Sequence, residues 1–131
     1  MKTVLITGAG RGIGLALTKE FTQNGCQVIG TYRDENSAAE LLTMKNVTAV
    51  KADVTDENSL KNLESALAKF TIDILINNAG VIGDKAPGLK ELNVKKVAEV
   101  LEVNTLGPMR ITQLALPFLK SNSTVAHIYY R

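Results

Sequence analysis

Short apolar runs rich in β-branched residues alternate along the chain with longer stretches in which apolar residues recur at helical spacing. This alternation is typical of a parallel sheet, because each parallel connection needs a long crossover that is usually a helix. Most of the runs are continuously hydrophobic, as strands buried on both faces are. The pattern predicts five strands, at residues 3–7, 27–32, 47–50, 72–76 and 125–129.

Four helices are predicted between these strands. The helix after the third strand is expected to begin at Thr55 as its N-cap, with Asp56 and Glu57 in the first turn, where acidic groups suit the helix dipole. The apolar stripe of the first helix lies at Ile13, Ala16, Leu17 and Phe21, and that of the helix after the third strand at Leu60, Leu63, Leu67 and Phe70.

The helical spacing between residues 89 and 120 is interrupted by Pro108. Proline is tolerated in the first turn of a helix but not in its interior, so this stretch predicts two helices that meet near Asn104. Ahead of them lies a loop, residues 81–90, that contains Gly83, Pro87 and Gly88. Loops at the end of a strand often contact ligands.

Composition indicates a single domain, residues 1–131, of an ordinary globular kind, with 45% hydrophobic residues. The net charge of +2 is spread along the chain, which argues against a nucleic-acid partner, and no apolar run is long enough to span a membrane. One cysteine, Cys26, excludes a disulfide framework and favours a reducing compartment, so a cytoplasmic location is expected. With one histidine and one cysteine, no metal site is expected.

A glycine-rich loop joins the first strand to the first helix. Where backbone meets a pyrophosphate at a helix N-terminus, the chain needs residues without a Cβ and free N–H groups, and glycine supplies both. The glycines fit the spacing G-x-x-x-G-x-G, which could also mark nothing more than a tight connection. Within a βαβ unit it favours nucleotide binding, at Thr7, Gly8, Gly10, Arg11, Gly12, Ile13 and Gly14.

The end of the second strand bears on the choice of cofactor. An acidic residue at that position hydrogen-bonds a ribose 2′-hydroxyl, whereas an arginine accommodates a 2′-phosphate. Arg33, supported by Arg11 in the glycine loop, therefore predicts NADP. Asp34 lies one residue further on, which leaves NAD open.

These motifs together resemble the N-terminal half of a short-chain dehydrogenase/reductase, and most closely the small carbonyl-reductase-like members. The resemblance implies a three-layer α/β/α Rossmann fold, a doubly wound parallel sheet of strand order 3-2-1-4-5, here without the C-terminal elements. It further implies that Asp53 and Val54 hold the adenine, that Asn78, Ala79 and Gly80 act at the adenosine side, and that Asn104 positions a proton-relay water. The matching segments are residues 7–14, Asp53-Val54, Asn77-Asn78-Ala79-Gly80 and residues 103–108.

The catalytic pair that the resemblance implies, a tyrosine with a lysine four residues later, does not occur in these 131 residues. Free tyrosine is a poor acid or base at neutral pH until a neighbouring cation lowers its pKa. Tyr32 is followed by Asn36 at that spacing, and Tyr130 stands where the family has a serine. His127, in the final strand, is expected to be a structural or edge histidine rather than a catalytic one.

Three interpretations follow. The first is an NADP-preferring oxidoreductase that transfers hydride between its cofactor and a small carbonyl compound or alcohol, in a chain that is inactive alone. The second is a non-catalytic dinucleotide-binding or regulatory module. The third is a truncated or frameshifted product whose final strand is poorly covered. Helices around residues 104–120 often form dimer surfaces in related folds, which leaves a homo-oligomer open.

Overall fold

The computed structural model describes residues 1–129, and its centre is one five-stranded sheet with neighbouring strands in the order β3-β2-β1-β4-β5. All four pairings are parallel. The predicted strand order is therefore confirmed. The strands are β1 Thr3–Ile6, β2 Gln27–Tyr32, β3 Val47–Lys51, β4 Ile72–Asn77 and β5 Leu119–His127.

Helices fill each crossover between consecutive strands. The stretch before β5 does divide in two, and a π-helical turn over Glu102–Leu106 joins the halves. Short 3₁₀ turns lie at Leu89–Glu91 and Leu116–Phe118. The α-helices are α1 Gly12–Gln23, α2 Ala39–Thr43, α3 Glu57–Leu67, α4 Val94–Leu101 and α5 Gly107–Ala115.

Apolar side chains fill both faces of the sheet, which gives the predicted three layers. On one face Leu5 and Leu75 pack with Leu63 of α3 and Ile111 of α5. On the other face Val4 and Ile6 pack with Leu41 of α2 and with the partly buried side of α1. Burial of this apolar surface is the main favourable term in folding. The sheet is thereby held rigid under the loops at its carboxyl edge.

The bounds of β5 differ from the prediction of 125–129. The strand begins at Leu119 and ends at His127, so Tyr129 lies beyond it. Ser123 Oγ donates to the Ile72 carbonyl at 2.7 Å and accepts from Lys120 N at 2.9 Å, and the register with β4 shifts here. These hydrogen bonds allow a polar segment to join the sheet. A prediction based on apolar runs therefore missed the first residues of β5. Tyr130, predicted to replace the family's serine, lies outside the described residues.

The buried face of α1 matches the predicted stripe only at Leu17 and Phe21, which pack against the core. Ile13 is exposed at 45% and Ala16 is exposed, whereas Gly14 and Thr18 are buried. Thr18 Oγ1 donates to the Gly14 carbonyl at 2.8 Å. The close approach of Gly14 to the glycine loop fixes the rotation of the helix, and this contact outweighs apolar periodicity in the first turn.

The start of α3 is one residue later than predicted. Asp56, not Thr55, is the N-cap, since its Oδ1 accepts from Asn58 N at 3.0 Å and Ser59 N at 3.4 Å. The Thr55 hydroxyl instead donates to Asp53 at 2.7 Å. Leu60, Leu63 and Leu67 are buried as predicted, while Phe70 follows the helix and packs against the same core.

Candidate functional site

The glycine loop is fastened to the end of β4 through one hydroxyl group. Thr7 Oγ1 accepts from the backbone N–H groups of Asn78 and Ala79, both at 3.0 Å. In return, Asn78 Nδ2 donates to the carbonyls of Thr7 and Gly8, both at 3.1 Å. Thr7 and Asn78 are buried. The two predicted motifs therefore form one hydrogen-bonded unit at the carboxyl edge of the sheet.

Gly14 brings the first turn of α1 onto this unit. A Cβ at Gly14 would overlap the carbonyl oxygen of Gly8 and come within 2.6 Å of Asn78 Nδ2. Gly8 has a φ of +65°, in the left-handed region, and a Cβ there would lie 3.0 Å from Ala79 Cα. Both positions therefore require glycine, one for space and one for backbone conformation.

The N-cap residue of α1 does not cap the N-terminus of the helix with its side chain. Arg11 is the N-cap in an extended conformation, and its side chain makes no cap hydrogen bond. The first turn carries no acidic residue, so the first four N–H groups of the helix and its dipole are available to an anion. Arg11, Gly12 and Ile13 are exposed around this terminus. Helix N-termini with free N–H groups bind anions.

The end of β2 lies beside the glycine loop. A Cβ at Gly10 would lie 3.4 Å from Tyr32 Cβ, so little space separates the two segments. Arg33 follows directly and is exposed. Asp34, the next residue, accepts a hydrogen bond with its Oδ1 from Asn36 N at 3.1 Å in a local turn.

Asp53 and Val54 follow β3 at the same edge. Asp53 Oδ1 accepts from Thr55 N at 2.9 Å and from the Thr55 hydroxyl. Partial burial raises the pKa of the Asp53 carboxyl, but the hydrogen bonds from Thr55 and the charge of Arg33 outweigh it, so this pKa lies below its usual value. Val54 is buried against Gly107 at the start of α5. Asp53 is therefore an ionised group held in a fixed direction at neutral pH.

Asn104 lies in the π-helical turn and holds the chain that leaves β4. Its Oδ1 accepts from Val81 N and its Nδ2 donates to the Val81 carbonyl, both at 2.8 Å. Gly80 passes close by, since a Cβ there would lie 3.2 Å from Asn104 Oδ1. Insertions of this helical type are frequent at functional sites. Asn104 thus belongs to the same edge as the glycine loop, although its predicted catalytic role stays a prediction.

A cleft of about 1010 Å³ opens at this edge. Its walls come from the ends of β4 and β5, the loop from Gly80 to Lys85, the π-helical turn and one side of α5. Ala79, Gly80 and Asn104 are shared between the cleft and the segments described above. A concave site with apolar walls and a few convergent polar groups is the usual form of a small-molecule site.

Sequence reasoning missed one cluster in the cleft floor. Asn77 Nδ2 donates to Thr112 Oγ1 at 3.2 Å and lies 3.4 Å from His127 Nδ1, so it ties β4 to α5 and β5. Asn77 is 3% exposed, and its Oδ1 accepts no hydrogen bond from the described residues. The one feature of the sequence that could have indicated this cluster is the polar residue at the end of β4 and of β5, because the carboxyl ends of parallel strands lie at the same edge of a sheet.

The residues predicted to bind the cofactor thus lie along one edge of the sheet. The model of the family described as short chain dehydrogenase matches residues 2–128. The chain belongs to the short-chain dehydrogenase family. Among curated members it is 40% identical over 116 residues to an NADPH-dependent 1-acyldihydroxyacetone phosphate reductase of Schizosaccharomyces pombe, covering 86% of this chain and 38% of that protein.

Two further relatives extend the comparison. The L-fucose dehydrogenase of Mus musculus is 35% identical over 131 residues, covering 97% of this chain and 48% of the mouse protein. A carbonyl reductase from Pseudomonas aeruginosa PAO1, solved in complex with NADP, superposes with a TM-score of 0.86 at 29% identity, covering 97% and 60%. The chain therefore spans about half the length, or less, of the curated relatives it matches.

Two other features of residues 1–129 bear on the site. No helix among them is long and apolar enough to cross a membrane. No group of three or more histidine, cysteine or acidic residues within this part of the chain could hold a metal ion. Cys26 is a free thiol.

Proposed function

We propose that this chain forms the NADP-binding part of a short-chain oxidoreductase that transfers hydride between the cofactor and a small carbonyl compound or alcohol. The observation that carries the proposal is the unit made by Thr7, Gly14 and Asn78, which leaves an uncapped helix N-terminus at the carboxyl edge of the sheet. The reductase named for NADPH use and the NADP complex of the carbonyl reductase support the choice of cofactor.

The residues present fit a dinucleotide. The free N–H groups of the first turn of α1 would hold the pyrophosphate, and the space beside Gly12, where a Cβ would meet nothing within 4 Å, is open to it. Asn78 Oδ1 is buried and accepts no hydrogen bond within residues 1–129, so it can accept one from a ligand or water. Asp53, fixed by Thr55, would accept a hydrogen bond at the adenosine end.

The arrangement at the end of β2 favours NADP over NAD. Arg11 and Arg33 are exposed and have no carboxylate within 4.0 Å in the described part of the chain, so both can bind a 2′-phosphate. Asp34, the residue that would have favoured NAD, directs one carboxylate oxygen to a backbone N–H of its own turn.

Bound nicotinamide would supply the hydride, and the chain's own residues orient the site. Asn104 fixes the backbone at Val81, and Asn77 holds the floor of the cleft between β4, α5 and β5. Protonation of the developing alkoxide needs an acid of suitable pKa. The family's tyrosine and lysine pair does not occur in these 131 residues, so we propose that a polypeptide of these residues binds the cofactor without turnover.

Fluorescence of NADPH tests the proposal directly. The chain contains no tryptophan, so enhancement of the cofactor's own emission reports binding without energy transfer from that source. We expect saturable enhancement by the 131-residue protein and no consumption of NADPH when an aldehyde is added. Absence of binding would contradict the function itself. Turnover of NADPH by this chain would contradict only the proposal that a polypeptide of these residues binds the cofactor without turnover.

A further inference from the structure

The described lining of the cleft contains one charged residue, Lys85, and no carboxylate. His127, at the end of β5, lines the same cleft with a ring that can donate a hydrogen bond. Lys85 is exposed and forms no ion pair within 4.0 Å among residues 1–129. A cleft lined by one sign of charge favours a ligand of the opposite sign.

His127 is fixed on one side only. Asn77, which is nine-tenths buried or more, presents its amide nitrogen to His127 Nδ1 at 3.4 Å. An N–H donor at Nδ1 selects the tautomer that carries its proton on Nε2. The residue itself is exposed at the cleft, so Nε2–H is the donor that the ring can offer to a ligand.

The rest of the lining suits a short carbon skeleton. Val100, Met109 and Leu116 provide apolar walls, and the hydroxyl and amide groups of Thr105 and Gln113 lie among them. Such walls favour the carbon chain of a ligand, while the Lys85 ammonium and the His127 N–H select its head group.

We propose that the cleft takes small carbonyl compounds that carry an anionic group such as a carboxylate, and that His127 and Lys85 recognise this group. The inference rests on the function proposed above and names its substrate class. His127 acts as a hydrogen-bond donor to the anion, with Asn77 holding its ring in place. Lys85, in the loop that follows Gly80 and lines the same cleft, supplies the positive charge.

The single histidine makes the test direct, because the imidazole resonances of the protein belong to His127. We would titrate the NADP-loaded protein with 2-oxobutanoate and, as a neutral match, with 2-butanone. The account predicts that the oxo acid shifts the His127 C2–H resonance and binds about tenfold more tightly than the ketone, as charged hydrogen bonds allow. Equal affinities, or an unmoved His127 resonance at saturation, would overturn the inference.

Two variants separate recognition from folding. Lys85→Gln should weaken the oxo acid about tenfold and leave the ketone unchanged, while Lys90→Gln, an exposed lysine outside the cleft lining, should change neither. Equal loss in both variants would also overturn the inference. The same titrations without NADP measure the cleft by itself, so failure of the chain to bind NADP, which contradicts the proposed function, is distinguished from failure of the cleft to select anions.

Discussion

Asn104 and Val81 are joined by two hydrogen bonds of 2.8 Å, in which the amide side chain pairs with both the N–H and the carbonyl of one residue. The pairing connects the π-helical turn to the first residue after the segment Asn77-Asn78-Ala79-Gly80. It therefore fixes the point where the loop of residues 81–90 leaves the sheet, and with it one wall of the cleft.

Removing this pairing should free the loop without unfolding the sheet. Asn104→Ala deletes both bonds, each worth about 1 kcal/mol net, so we expect the amide of Val81 to exchange with solvent about tenfold faster or more. Hydrogen exchange followed by NMR measures this. Asn62→Ala, which removes an exposed amide from α3, is the matched control, and unchanged exchange at Val81 would show that the bonds do not hold the loop.

We expect the Thr7 hydroxyl to contribute more to the free energy of unfolding than the burial of one small side chain would. Thr7→Val keeps the shape but leaves the N–H groups of Asn78 and Ala79 without an acceptor, which we expect to lower the free energy of unfolding by about 2–4 kcal/mol. Thr7→Ser keeps the oxygen and loses one methyl group, at a cost of about 1 kcal/mol. Urea unfolding compares the two, and a serine variant as unstable as the valine variant would rule out the hydroxyl as the cause.

Gly14→Ala should be destabilising although alanine normally favours helices. In a helix interior the exchange gains about 1 kcal/mol, but here the new methyl overlaps the Gly8 carbonyl, and we expect a net loss of about 3 kcal/mol or more. Thermal unfolding and NADPH binding should both suffer. Gly88→Ala is the control, because its nearest neighbour is the movable end of the Glu91 side chain at 3.3 Å, and comparable effects in both variants would refute the close approach.

Asp73 should make stability depend on pH. Its carboxylate accepts from Lys120 Nζ at 2.6 Å and from Thr3 N at 2.8 Å, and these bonds, the lysine's first, hold the pKa of Asp73 below its usual value. Because the pKa of Asp73 is lower in the folded state, its ionised carboxylate stabilises the folded protein at pH values above the unfolded pKa of about 4. This contribution is lost as the pH falls through the folded pKa.

The corresponding measurement is the Tm of Asp73→Asn and of the unaltered protein at several pH values. We expect the variant to melt earlier at pH near 7 and the difference to narrow below about pH 4. Glu64→Gln, which removes an exposed carboxylate from α3, should alter the Tm little throughout. A difference that stays constant with pH would mean that the charge of Asp73 is not what matters.

Much of this architecture follows from local rules. The glycines of residues 8–14 could be placed from the sequence because a missing Cβ is a property of the residue itself. Buried strands such as β1 and β4 were visible as apolar runs. The strand order came from the family resemblance, since alternation of strands and helices leaves several orders open.

The hydrophobic pattern could not predict contacts between segments that are distant in the sequence. The buried side of α1 depends on how Gly14 meets Gly8, and the early start of β5 depends on Ser123 bonding to Ile72. The neighbours Asn77 and His127 are 50 residues apart in the chain and meet only through the register of β4 with β5. The sequence therefore predicted which motifs lie at the carboxyl edge of the sheet, but not the hydrogen bonds that connect them.

The most direct test of NADP binding at the glycine loop is calorimetric titration of the 131-residue protein with NADP and with NAD. The account predicts that NADP binds more tightly than NAD by about tenfold or more, and that Arg33→Gln removes most of this preference while leaving NAD affinity unchanged. Lys45→Gln also removes one positive charge, at an exposed position after α2, and should preserve the preference for NADP. Equal binding of the two cofactors, or a preference that survives Arg33→Gln, would contradict it.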